Sequence, residues 1–271
     1  MKSEGLRGRK LAEDAFAFLV RKPGGAHFSA IARKVLRMKN VPPELAGRLV
    51  SELLEGDGRF VQDGGGMWSI RSCADAHWLG DVVFTVVDVE TTGGGRSGDR
   101  VIEIGAFRVC GGRILDSFMT LVNPGVPVPE SISLLTGIDG GMVRDAPAGG
   151  EVFPAFIEFL GDTVFAAHNA TFDARVVNRE LRRLGAPKMK NPVVCTMSLA
   201  RRVVPGLGSY NLDALASHFG VGLSGERHRG HGDAWAAAKI LISLLEELPG
   251  RDVATLESLL AFLKSPPEKN G

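Results

Sequence analysis

Asp88 and Glu90 close the run "VVFTVVDVE", in which five apolar residues and one threonine lead into two acids one residue apart. On a strand, positions two apart project from the same face. Both carboxylates would therefore stand side by side at the end of a segment buried on both faces, where an uncompensated charge costs several kcal/mol. Two further acids open helical patterns, Asp173 in "HNATFDARVV" and Asp233 in "HRGHGDAWAAAKI". Carboxylates gathered together repel one another, and some must stay protonated unless divalent cations lie among them. Mg²⁺ and Mn²⁺ take oxygen ligands and keep positions for water and phosphate. Such a set suits displacement at phosphorus, with two ions about 4 Å apart serving the attacking water and the leaving oxygen.

That chemistry needs a base. His228 lies five residues before Asp233, an interval that does not stack the two on one helical face. Gly230 and Gly232 between them place His228 on a loop, where a neutral imidazole near pH 7 takes a proton from water. His231 sits between the two and competes for the role. His27, His77 and His218 read as polar loop residues.

The elements that must position these groups alternate strand and helix. "RVIEIGAFRVCGGRILDSFMTLV" continues from the acid-tipped strand as two more strands turning at Gly111 and Gly112, which makes a meander. "VFPAFIEFL" and "ARVVNRELRRLG" read as helices flanking the short apolar run "TVFAAH", and "DAWAAAKILISLLEEL" as a long helix. The fold expected is a mixed α/β sheet flanked by helices.

The blocks "VVDVETTG", "HNATFD" and "HRGHGDA", in this order, resemble the three motifs of the DEDDh 3′–5′ exonucleases of the proofreading (epsilon) subunit type. "DRVIEIGAFRV", "VNPGVPVPESISLLTGID" and "VPGLGSYNLDALASHFGV" extend the resemblance across roughly Val82 to Leu248. It implies a ribonuclease H-like fold and metal-dependent hydrolysis of a polynucleotide from its 3′ end. It also implies Asp88, Glu90, Asp173 and Asp233 as ligands of two Mg²⁺ or Mn²⁺ ions, with His228 as the base. Relatives that use tyrosine carry it four residues before the last acid; that position here is Arg229, and Tyr210 is the only tyrosine. The substrate contacts implied are the backbone N–H groups of Thr91, Thr92 and Gly93, with Leu135 and Thr136 along the terminal sugar and base. Asn169 and Phe172 flank Asp173, and Phe172 is expected either to stack on a base or to fill the core.

Upstream, three helical patterns precede a hairpin. "LAEDAFAFLV" repeats at Leu11, Ala15, Phe18 and Leu19. "FSAIARKVL" repeats at Ile31, Val35 and Leu36 with Ser29 as the expected cap, and "PPELAGRLVSELL" is expected to bury Leu45, Leu49 and Leu53. "RFVQDGGGMWSI" follows as two short strands, and the whole resembles a winged helix-turn-helix module on Arg59, Phe60, Gly64, Gly66 and Trp68. The expected organisation is a winged-helix-like nucleic-acid or protein-binding domain over residues 1–78 and the exonuclease domain over 79–250. A C-terminal helix and flexible tail fill 251–271.

Charge follows the same division. Residues 1–48 hold eleven Lys/Arg against four Asp/Glu, a balance of +7, while residues 79–271 hold nineteen against twenty-two. A basic end on a mildly acidic body points to a polyanion partner for the first part, through "ARKVLRMK" and "RGRK" in particular. DNA is favoured over RNA, and a polymerase or repair protein is a second expected partner. A 3′–5′ exoribonuclease is one alternative, and a DNA-binding scaffold with a vestigial nuclease domain is another, disfavoured because all four acids and His228 are present. No apolar run approaches a membrane span, and Glu13 and Asp14 interrupt the first apolar stretch. Three widely spaced cysteines without a C-x-x-C pair argue for a reducing, cytoplasmic setting.

Overall fold

The computed structural model describes residues 2–22, 24–57, 59–71, 78–94, 98–222 and 230–265. The chain divides into two compact units, Met1–His77 and Trp78–Gly271.

The N-terminal unit runs α1 (Lys2–Leu19), β1 (Ala26–His27), α2 (Phe28–Lys34), α3 (Pro43–Leu54), β2 (Phe60–Gln62) and β3 (Met67–Ile70). Its three strands are antiparallel in the order β1-β3-β2. The buried stripe of α3 is Ala46, Val50 and Leu54, one residue on from Leu45, Leu49 and Leu53, and Leu45 is exposed. Both stripes have four-residue spacing, so periodicity alone does not choose between them; packing against α2 and α1 does. Ser29 is not the cap of α2: His27 is, and its ring accepts the Ser29 N–H. Arg59 braces the hairpin to α1, bonding Glu13 at 3.0 Å and Asp57 at 2.7 Å while its guanidinium lies over the Phe16 ring.

The C-terminal unit is built on a five-stranded mixed sheet. Strands β4 (Phe84–Thr91), β5 (Val101–Cys110) and β6 (Arg113–Leu121) form an antiparallel meander, and β7 (Val164–Ala167) and β8 (Val193–Cys195) add to β4 in parallel, giving β6-β5-β4-β7-β8. Gly111 and Gly112 turn the meander with φ of 55° and 73°, a region open to glycine at little cost. The helices are α4 (Glu130–Thr136), α5 (Gly140–Arg144), α6 (Gly149–Leu160), α7 (Ala170–Arg183), α8 (Thr196–Val203), α9 (Leu212–His218), α10 (Gly230–Glu246) and α11 (Leu256–Lys264).

The central strand β4 is covered on both faces. Val87 and Val89 join Phe153 and Phe156 of α6 and Val176, Val177 and Leu181 of α7 in one core. Helix α10 lies across β4 and β5. Its buried alanines, Ala234, Ala236, Ala237 and Ala238, let it sit close to the sheet. The closest approach is at Gly105, where a Cβ would come within 2.1 Å of the Gly230 carbonyl oxygen. Any other residue there would force the helix away from the strand.

Candidate active site

Two strand positions and one helix start converge. Ligand oxygens of Asp88, Glu90 and Asp233 lie within 4.8 Å of one another, with Asp233 buried and the other two half-buried. Period-two alternation puts the first pair on one face of β4, and the seating of α10 on Gly105 delivers the third. The donors are all carboxylate oxygens, which suit a hard divalent cation. Burial holds the Asp88 carboxyl well above the usual carboxylate range, reinforced by the charges of Asp173, Glu90, Asp233 and Glu103. A site that raises its own carboxyl in this way gains by binding a cation.

Asp173 stands beside this group, outside the 4.8 Å set. Asn169 takes left-handed dihedrals (φ 68°, ψ 48°) directly after β7, so α7 begins at once and turns Asp173 toward β4. One Asp173 oxygen accepts the Val89 N–H at 3.3 Å. Burial pushes this carboxyl from 3.8 to about 7, against backbone hydrogen bonds that pull it down. A buried ion-pair cluster anchors α7: Glu180 bonds Arg100 at 3.1 Å and Arg183 at 2.6 Å. Arg183 also donates to the Asp99 carbonyl, so the chain entering β5 is tied to the helix carrying Asp173.

Glu103 has a role that the sequence pattern does not announce. It lies opposite Glu90 on the neighbouring strand and is buried. Its Oε2 accepts the Gly230 N–H at 2.6 Å, capping the first turn of the helix that carries Asp233. Its signal was present: a single acid early in "VIEIGAFRVC", a strand that buries all ten positions.

The remaining expected residues fall less evenly. His228 lies outside the described residues. His231 opens α10, exposed, with its ring 5.5 Å from that of Phe107. The Thr92 N–H donates to the Arg100 carbonyl, and its hydroxyl accepts the Arg100 N–H. Thr91 donates its hydroxyl to the Gly93 carbonyl. The Thr92 N–H is therefore bonded to the Arg100 backbone in this structure. Thr136 is buried, bonding Ile132 and Ile138 within its own helix end, whereas Leu135 is 53% exposed. Asn169 is exposed, and Phe172, half-buried, packs against the core with Arg175 over its ring.

Residues 85–241 match the RNase_T family, described as exonuclease. The epsilon subunit of DNA polymerase III from Aquifex aeolicus is 42% identical over 168 residues, which cover 62% of this chain and 83% of that protein. A PolC-type DNA polymerase III from Caldanaerobacter subterraneus is 44% identical over 180 residues, covering 66% of this chain but 13% of the polymerase. The chain thus corresponds to a small part of that relative. Among solved structures, exonuclease X in complex with 5′-overhanging duplex DNA aligns with a TM-score of 0.54 and 28% identity, over 66% of this chain and 99% of that one. Among the described residues, no helix is long and apolar enough to cross a membrane.

Proposed function

We propose, for a chain that belongs to the RNase_T exonuclease family, that it removes nucleoside 5′-monophosphates one at a time from the 3′ end of DNA at single-stranded or frayed termini. The observation that carries this reading is the meeting of Asp88, Glu90 and Asp233 within 4.8 Å. Both relatives described above are named as DNA polymerase III proteins, and exonuclease X was solved with DNA.

Asp88, Glu90 and Asp233 would hold divalent cation, with Asp173 as a neighbouring ligand; Mg²⁺ or Mn²⁺ fits the all-oxygen donor set. A bound cation supplies Lewis-acid polarisation of the scissile phosphate. The Val89 N–H orients the Asp173 carboxyl toward the end of β4. Glu103 fixes the first turn of α10, and through it the carboxylate of Asp233. His228 is the proposed general base, and the side chain exposed at Leu135 the proposed contact for the terminal nucleotide.

The N-terminal unit we read as a winged helix-turn-helix. Its chain order, three helices interleaved with a β1-β3-β2 sheet, supports that reading. The deciding experiment digests 3′-labelled and 5′-labelled single strands, DNA and RNA in parallel, with Mn²⁺, Mg²⁺ or EDTA. Immediate release of label from the 3′-labelled DNA only, and only with metal, is expected. Release of 5′ label first, or full activity in EDTA, would sink it. RNA digested faster than DNA would reassign the substrate.

A further inference from the structure

Residues between His27 and Ala46 of the N-terminal unit line an open concavity of about 890 Å³. Arg33, Arg37 and Lys39 line it, no acidic residue does, and none of the three cations is in an ion pair among the described residues. Arg37 and Asn40, both lining residues, take left-handed dihedrals (φ 56° and 55°). That conformation costs a non-glycine residue on the order of 1 kcal/mol, so the turn is held in an unusual shape that keeps like charges around one space. Beside the cations stands an aromatic wall. The rings of His27 and Phe28 lie 4.0 Å apart at 38°, and the His27 ring is pinned by the Ser29 hydroxyl at 2.8 Å. Gly66 makes room for Phe28, since a Cβ there would approach the ring to 2.9 Å.

We propose that this concavity is a second nucleic-acid site, one that takes a single strand: phosphates on Arg33, Arg37 and Lys39, a base against the His27–Phe28 wall. Unpaired cations next to aromatic rings are the chemistry that single strands use. A duplex laid along α3 would instead meet Glu44, Glu52 and Glu55, all exposed, with Arg48 as the one basic residue of that helix. The identity of the ligand rests on the nuclease reading of the C-terminal unit, whose substrate is the same polyanion.

The test measures binding by the full chain in EDTA, by fluorescence anisotropy of a 5′-labelled twenty-residue oligothymidylate across a salt series. Arg33→Ala/Arg37→Ala is compared with Lys34→Ala/Arg48→Ala, which removes equal charge from exposed positions outside the lining. The first pair is expected to weaken binding about tenfold and to lower the slope of log K against log salt by about 1.4, two phosphate contacts at roughly 0.7 each. The second pair should change affinity less than twofold, and Arg33→Lys/Arg37→Lys should keep most of it. Equal losses in both Ala pairs, or none in either, overturns the site. A duplex bound more tightly than the strand and weakened as much overturns the single-strand assignment. Displacement of the strand by polyglutamate as effectively as by unlabelled strand would make it a site for an acidic protein segment. Failure of the nuclease reading shows separately, as absence of Mn²⁺-dependent mononucleotide release by the unaltered chain.

Discussion

Glu180 and Asp88 are acids of the same unit, both set against the sheet, yet the dominant charges around them have opposite signs. Glu180 is 2% exposed and sits between Arg100 and Arg183, as Asp57 of the N-terminal unit sits against Arg59. Burial alone would raise the Asp57 carboxyl, but the hydrogen bonds and charge of Arg59 outweigh it and hold the group below 3.8. Asp88 is surrounded by Asp173, Glu90, Asp233 and Glu103 and is displaced upward. A chain that pairs acids with arginine where they brace the fold, and stacks acids together at one strand end, has two uses for the same side chain. The second arrangement is costly unless a cation joins it.

That contrast is broken most directly by mutation. Asp88→Ala or Asp233→Ala should lower mononucleotide release by several orders of magnitude, with EDTA doing the same to the unaltered chain. Arg100→Ala should act mainly on stability, by roughly 1.5–3 kcal/mol, because Glu180 loses one of its two arginine partners and keeps Arg183. If Asp88→Ala retained a tenth of the activity, the two kinds of acid site would not differ in function.

The next largest effect separates the two histidines. His228→Ala should cost about 10²–10⁴-fold in turnover, the range for a general base, without weakening metal binding. His231→Ala, which removes a ring resting on Phe107, should cost severalfold. The reverse order would move the base to His231.

Seating of α10 comes third. Gly105→Ala would drive a Cβ into the Gly230 backbone, a clash that no side-chain rotation relieves. It should destabilise the chain by about 2–3 kcal/mol and reduce activity through Asp233. Glu103→Ala should leave the Gly230 N–H without its acceptor, at about 1–3 kcal/mol, whereas Glu103→Gln retains an acceptor oxygen and most of the activity. Equal losses in Ala and Gln variants would show that Glu103 acts through its charge, at the metal site.

The smallest effect is a stability trend with pH. Asp173 titrates at about 7 when folded against 3.8 for an ordinary carboxyl, so between those values the folded chain holds a proton that the unfolded chain has lost. Its contribution is full below pH 3.8 and disappears as pH rises through 7, and Asp88 shifts in the same direction. Asp57, shifted the other way, loses its contribution only on acidification below 3.8. The metal-free Tm of the C-terminal unit should therefore fall from pH 5 to pH 8, and Mn²⁺ should raise Tm more at pH 8. A metal-free Tm that stays flat or rises across that interval would contradict the burial of Asp173.

What depends on short-range geometry is legible in the residues alone. Two-residue alternation places Asp88 and Glu90 on one face, the run before them demands cover on both sides, and Gly111-Gly112 turns the meander. The order of the acidic blocks carries the resemblance to the exonuclease family without any contact. Packing settles whatever depends on which surface an element meets. It shifted the α3 stripe to Ala46, Val50 and Leu54, because two stripes of equal spacing differ only in their partner. It bound Thr92 to Arg100 across a turn, and set Asp173 on the Val89 N–H outside the closest group of oxygens. It gave Glu103 its role because Gly230, 127 residues away along the chain, comes within hydrogen-bonding reach only when α10 packs on Gly105. Local pattern carries the direction of a side chain; only packing supplies the atom it meets.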